Sequence, residues 1–144
     1  MRNNKGYEIE DRMRRFFKGE KSSYDEVDFE TSKCLYEVKS CLLFNKTWNG
    51  NHKREHKGKP HKKICSLQMG RFMVKTDNHI LLYLRAIQLN KAPKYIFVIK
   101  IGKQSVFRIV PWEEISLNND KDNHHISIKE IFGQIETNGK SKHN

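Results

Sequence analysis

Cysteine is scarce in this chain: Cys34, Cys41 and Cys65 are the only three in 144 residues. An odd, sparse set builds no disulfide framework, so a reducing, cytoplasmic setting is expected. No apolar run approaches the roughly 20 residues that span a bilayer. The opening stretch MRNNKGYEIEDRMRR has no apolar core of a secretion signal. A soluble chain with no membrane partner is therefore expected. Apolar residues are also few, at 36% against 31% charged. That allows one modest core, which a chain of this length closes without covalent staples. No internal repeat is visible. Acids are outnumbered, with 17 Asp and Glu against 28 Lys and Arg, for a net charge of +11. Such an excess attracts polyanions, of which nucleic acid is the commonest.

The hydrophobic pattern predicts a helix first. Ile9, Met13 and Phe16 recur at helical spacing, Phe17 widens the stripe, and Gly6 and Gly19 bracket the run. Glu10 falls at the edge of the buried face, with Glu8 as its rival for any site beneath the helix. Tyr24 to Thr31 reads as a strand, Ser32-Lys33 as a tight connection and Cys34 to Leu43 as a central, mostly apolar strand. Asn45 to Lys63 has almost no apolar residues, and its seven Lys or Arg face a single acid, Glu55. It is expected to be a long, mobile, basic loop inserted into the fold.

Beyond Ile64, Arg71 to Val74 reads as a strand. A helix follows, capped by Thr76 or Asp77, with Ile80, Leu81, Leu84 and Ile87 as its apolar positions. Asn90-Lys91-Ala92-Pro93 ends it. Tyr95 to Ile101 and Val106 to Val110 are strands about a turn at Gly102-Lys103-Gln104. Ser116 to His125 reads as a loop, and Ile126 to Ile135 as ordered but of either type. The expected organisation is one domain over 1–136, with 45–63 as the insertion and 137–144 as a disordered tail. The fold class is α/β: a mixed β-sheet flanked by helices.

Glu37-Val38-Lys39 carries the chemistry. Residues two apart on a strand share a face, so Leu35, Glu37, Lys39 and Cys41 point one way and Tyr36, Val38 and Ser40 the other. A carboxylate and an ammonium on a buried strand are costly unless they are paired or bind a metal. Asp28, from the preceding hairpin arm, adds a cross-strand carboxylate. Two carboxylates make a hard oxygen site of the kind Mg²⁺ prefers. A metal there polarises a phosphodiester and activates a bound water. Lys39 either stabilises charge developing on phosphate oxygens or serves as a base.

A helix bearing an acid, a hairpin bearing Asp28 and the apolar strand with Glu37-Val38-Lys39-Ser40 together resemble the PD-(D/E)XK nucleases, and within them most the archaeal Holliday junction resolvases. The resemblance covers about residues 5 to 115. Gly6 and Glu10 match that family's opening glycine and helix glutamate, Asp28 its hairpin aspartate, and Glu37-Val38-Lys39-Ser40 its E-x-K-S strand. Gly70-Arg71-Phe72-Met73-Val74, the helix from Asp77, Tyr95-Ile96-Phe97-Val98-Ile99 and the stretch Phe107 to Ile115 follow the family's order.

The resemblance implies a restriction-endonuclease-like fold and a Mg²⁺-dependent DNA endonuclease, with Mn²⁺ able to substitute. Glu10, Asp28, Glu37 and Lys39 would be catalytic. The metal would be held by Asp28, Glu37, the Val38 main-chain carbonyl and Glu10. Lys5 and Arg12 are candidate DNA contacts on the first helix; Lys46, Lys53, Arg54, Lys57, Lys59, Lys62 and Lys63 are candidates in the basic loop. The arm from Asp28 to Glu37 is short for a resolvase, and Asp25 competes with Asp28 despite opposite strand parity. A structure-selective, junction-resolving enzyme is the leading reading. Sequence-specific restriction-type cleavage and a non-catalytic nucleic-acid-binding module on the same fold are the alternatives.

One motif per chain implies a homodimer for two cuts, with Phe107, Ile109 and Trp112 as candidate interface residues and core filling as the equal alternative. His52, His56 and His61 with Cys41 or Cys65 match no zinc-finger spacing and read as solvated loop histidines. Trp48 is placed to stack on a base or to anchor the loop. Gln68 reads as a surface or packing residue rather than a member of the catalytic face.

Overall fold

The computed structural model describes residues 4–48 and 65–133, with side chains described for 7–44 and 69–133. The basic run over 49–63 and the tail over 137–144 lie outside these residues. Helix α1 (Asn4–Phe16) comes first. It starts ahead of Gly6, so that glycine lies inside the helix and does not bracket it. Short strands β1 (Glu20–Lys21) and β2 (Phe29–Glu30) lead to β3 (Cys34–Leu42). An antiparallel ribbon of β4 (Phe44–Trp48) and β5 (Cys65–Met69) follows, then β6 (Arg71–Lys75) and α2 (Thr76–Leu89). The chain returns through β7 (Ala92–Ile101) and β8 (Gln104–Pro111), makes a single 3-10 turn over Trp112–Glu114, and ends in β9 (Asn123–Ser127) and α3 (Ile128–Phe132).

The main sheet has the order β1-β2-β3-β7-β8. β3 and β7 run parallel, and the other pairs are antiparallel. The molecule is therefore α/β, a mixed five-stranded sheet flanked by helices. β7 lies between two strands, and Tyr95 to Ile99 are buried on both faces. That two-sided burial is why the segment is a continuous apolar run rather than an alternating one. One face of the sheet packs Phe29, Tyr36, Val38, Ile96 and Val98 against Ile9 and Met13 of α1. The other packs Leu35, Tyr95, Phe97 and Ile99 against Leu82 and Ala86 of α2 and against the β6–β9 ribbon and α3. Each fully buried aliphatic or aromatic side chain contributes about 1.5–3 kcal/mol, so these two layers hold the sheet in place.

Several further expectations change. Tyr24 to Asp28 is not strand: the Val27 N–H bonds back to the Tyr24 carbonyl (3.1 Å), making a turn, and β2 is only two residues long. Of the acids there, Glu26 is buried and accepts from Arg85 at 2.7 Å, while the Arg85 guanidinium lies 4.0 Å over the Tyr24 ring. Asn45 to Trp48 is strand rather than loop, because its main chain pairs with Cys65 to Gln68. Asn123 to His125 is likewise strand, held by pairing with Met73 to Lys75. Finally, α2 is turned about its axis relative to expectation. It buries Thr76, His79, Leu82 and Ala86 and exposes Ile80, Leu81, Leu84 and Ile87. Thr76 caps nothing: its N–H and hydroxyl bond to the carbonyls of Asp122 and Lys121.

Two special backbone positions shape the joints. Asn90 ends α2 in a left-handed conformation (φ 55°), which asparagine tolerates and which lets the chain turn into β7. Gly70 sits where β6 crosses the end of β3. A Cβ there would lie 1.9 Å from the Leu42 carbonyl oxygen, so only glycine permits the approach.

Candidate active site

The site forms where β2 leaves β3. Phe29 pairs with Tyr36 in the ladder, and one residue earlier the Asp28 N–H still reaches the Tyr36 carbonyl (2.9 Å). There the strands fork. The Asp28 side chain replaces the lost strand carbonyl: the Val38 N–H donates to Asp28 Oδ2 at 2.7 Å. This bond fixes the carboxylate beside Glu37. A charge-assisted bond of that length is of the stronger kind.

Glu37 and Lys39 share the α2-side face of β3, as the strand period requires. Lys39 Nζ lies 3.1 Å from Glu37 Oε2. The Glu37 carboxylate is buried, and its other oxygen, Oε1, is cut off from solvent without a hydrogen-bond donor. Burial first, and then the charge of Asp28, push the Glu37 carboxyl well above the usual carboxylate range, while Lys39 pulls the other way. A strand position of this kind in a purely structural sheet would hold an aliphatic residue. Two acids share the fork, Glu37 buried and Asp28 half-buried, and among the described residues Lys39 is the cation paired with them. An orphaned oxygen next to a second carboxylate is a donor set that a hard divalent cation fits, completed by a main-chain carbonyl, water and phosphate oxygens. No group of three or more His, Cys, Asp or Glu side chains converges among the described residues.

The other expected residues fall as follows. Asp25 is exposed in the turn before Asp28, away from the bond that seats Asp28. Glu8 is exposed, and Glu10 is half-buried on α1. α1 packs on the opposite face of the sheet from Glu37, and the charges acting on Glu37 come from Asp28 and Lys39. Arg12 is exposed on α1. The side chains of Lys5, Lys46, Trp48, Cys65 and Gln68 lie outside the described ones, as do all of Lys53, Arg54, Lys57, Lys59, Lys62, Lys63, His52, His56 and His61. Cys41 packs against the core, and burial pushes its thiol up to about 11, so it is a packing thiol. Phe107 and Ile109 pack against the α1 layer, and Phe107 meets the rings of Phe16 and Phe17 edge-on at 5.5 and 6.0 Å. Trp112 stacks on His79 at 4.3 Å, and its indole N–H donates to the His79 carbonyl. These three side chains therefore serve the chain's own packing.

One buried polar group beside the site was not anticipated from the sequence. Tyr95 is the β7 register partner of Glu37, and its hydroxyl lies 2.6 Å from His79 Nδ1. Burial chiefly, and the Glu37 charge next, hold the Tyr95 hydroxyl in its protonated form. Burial also lowers His79 to about 4. The imidazole is therefore neutral at pH 7, wedged between Tyr95 and Trp112. A histidine among Ile and Leu on a helix reads as a surface residue; only the tyrosine opposite Glu37 could have pointed to it.

No helix among the described residues is long and apolar enough to cross a membrane. No family model matches the chain, and no curated protein or solved structure matches it.

Proposed function

We propose that this chain is a metal-dependent endodeoxyribonuclease on a restriction-endonuclease-like fold, with Asp28, Glu37 and Lys39 as its reacting centre. One observation carries the reading: Glu37 holds a buried carboxylate oxygen without a donor, beside Asp28 and with Lys39 at 3.1 Å. Structural ion pairs do not require a second acid pressed against the first, and that second acid raises the cost of the arrangement. The cost is recovered when a divalent cation is bound.

Asp28 and Glu37 would hold Mg²⁺ or Mn²⁺, with the Val38 main-chain carbonyl as a third ligand. A cation there supplies Lewis-acid polarisation of a phosphodiester. The chain's own groups do the rest. The Val38 N–H keeps Asp28 in one orientation, so the ligand pair is preorganised. The Lys39 ammonium sits on the same face and neutralises charge that develops on the phosphate oxygens. The burial of Glu37 excludes water and strengthens each of these interactions. The net charge of +11 supports a polyanionic substrate, and four-way junction DNA is the preferred form on the resemblance to the resolvases.

The test is incubation of supercoiled plasmid, linear duplex and a four-way junction with the protein, with and without Mg²⁺. Metal-dependent cleavage with preference for the junction is expected. Cleavage of one linear sequence alone would move the reading to a restriction-type enzyme. Binding without cleavage under Mg²⁺ and Mn²⁺ alike would overturn the enzymatic reading.

A further inference from the structure

Glu37 Oε1 lacks a hydrogen-bond donor although a phenol stands on the neighbouring strand. β3 and β7 are parallel and pair Glu37 with Tyr95, so both side chains leave the sheet on the α2 side. Both are buried, and the Glu37 charge is felt at the Tyr95 hydroxyl. A tyrosine hydroxyl beside a buried carboxylate ordinarily donates to it, because a charge-assisted bond is the stronger one. Here the proton goes elsewhere, to His79 Nδ1 at 2.6 Å.

The imidazole sets the direction of that bond. The His79 ring also bonds to the main chain of Ile115, and that bond favours its protonated form, so the ring is the donor there. The Ile115 N–H is already given to the Trp112 carbonyl, which leaves the Ile115 carbonyl as the acceptor. In a neutral imidazole one nitrogen carries the proton and the other accepts. The proton therefore sits on Nε2, Nδ1 is an acceptor, and the Tyr95 hydroxyl donates to it. Neighbours keep the ring from turning over and exchanging its nitrogens. It is stacked between Trp112 at 4.3 Å and Tyr95 at 5.7 Å, and the Trp112 indole N–H holds the His79 carbonyl at 2.7 Å.

With its proton committed to His79, Tyr95 can show Glu37 only lone pairs. Lone pairs are unfavourable beside a carboxylate and favourable beside a cation. We propose that His79 and Tyr95 are positioning residues for the cation site: they fix the phenol as an acceptor towards it, leave Oε1 without a competing donor, and so raise the affinity for a divalent ion. The inference rests on the metal-site reading above and adds two residues to it. Groups that stand behind metal ligands contribute roughly tenfold to a hundredfold to metal affinity. A single hydroxyl dipole behind Glu37 belongs at the lower end, about tenfold.

Two measurements test it. Side-chain ¹⁵N spectra of histidine-labelled wild type at pH 7 read the tautomer, with His79→Phe assigning the signal. His79 should carry its proton on Nε2 in EDTA and in Mg²⁺ alike, and in Tyr95→Phe its Nδ1 resonance should move as the donor is lost. A proton on Nδ1 would overturn the proposal, since the phenol would then be turned the other way. Calorimetric titration with Mg²⁺ and with Mn²⁺ compares wild type with Tyr95→Phe. The variant keeps the ring, both carboxylates and Lys39, and should bind about tenfold more weakly. A merely structural tyrosine would lower the melting temperature and leave this affinity alone, so equal affinity would overturn the inference while the metal site stands. Tighter binding would overturn it too, by showing that the hydroxyl had been donating to Glu37. A wild type that binds neither ion would remove the metal-site reading and this inference with it.

Discussion

His79 gives the pH dependence of folding a sign and a size. Its ordinary value of 6.5 is lowered to about 4 in the folded protein, by burial first, with the charge of His124 adding to it and the main-chain bond to Ile115 opposing it. The unfolded chain therefore binds a proton at this residue between pH 6.5 and 4 while the folded chain does not. Stability contributed by neutral His79 is complete above pH 6.5 and is lost as pH falls towards 4. The difference of about 2.5 pH units corresponds to about 3 kcal/mol over the full window. Glu37 works in the opposite sense, since its raised value makes the folded state the better proton binder, so wild type alone would show a blunted curve. His79→Phe isolates the term: it keeps a ring between Tyr95 and Trp112 and has no pH dependence of its own. It leaves the Tyr95 hydroxyl without an acceptor, which costs about 1–3 kcal/mol at every pH. Urea titrations of both proteins at pH 4.5, 5.5, 6.5 and 7.5 give the difference directly. Wild type should lose its lead, with midpoints converging by roughly 1–2 M urea between pH 7.5 and 4.5. A difference that stays flat across that range would refute the neutral, buried imidazole.

Three other substitutions are expected to separate site from scaffold. Glu37→Gln should raise the melting temperature in EDTA at pH 8, because it removes a carboxylate that burial and Asp28 disfavour; the gain should shrink as pH falls and Glu37 takes up its proton. Added Mg²⁺ should stabilise wild type and not this variant, and a wild type that melts higher than Glu37→Gln in EDTA at pH 8 would count against the site as described. Arg85→Met strands Glu26, which is buried, and should cost about 3 kcal/mol by chemical denaturation; a neutral result would mean that Glu26 turns out to solvent. Gly70→Ala places a Cβ on the Leu42 carbonyl and should cost about 2–4 kcal/mol as the β3–β6 crossing shifts, which a melting curve reads.

The strand that carries Glu37 and Lys39 was readable in the sequence because its pattern is local, whereas the stretch leading to Asp28 reads as strand and is a turn. Cys34 to Leu42 is the central strand, its alternation puts Glu37 and Lys39 on one face, and Asp28 stands beside them. The register between Asp28 and Glu37 was less readable. It rests on a side chain, Asp28, bonding to a main-chain N–H where a ladder bond would otherwise be, and strand propensity does not register that exchange. α2 failed for a different reason. The helix carries two apolar stripes, and hydrophobicity favours the stronger one, which contains Ile80, Leu84 and Ile87. The structure buries the weaker one because His79 finds the Tyr95 hydroxyl, so a polar residue is satisfied inside and the stronger stripe is left outside. Asn45 to Trp48 reads as loop from its polarity, yet main-chain pairing with the other arm makes it strand, since a two-stranded ribbon asks little of its side chains.

The most direct test of the central claim is relaxation of supercoiled plasmid by wild type and Glu37→Ala over a Mg²⁺ titration, with Lys39→Ala alongside. Wild type should nick only with the metal present, and Glu37→Ala should fall by a factor of about 10³ or more, as expected when a metal ligand and its charge are removed together. Lys39→Ala should lower the rate while plasmid binding stays intact. Cleavage by Glu37→Ala at the wild-type rate, or wild-type cleavage undiminished in EDTA, would contradict the account.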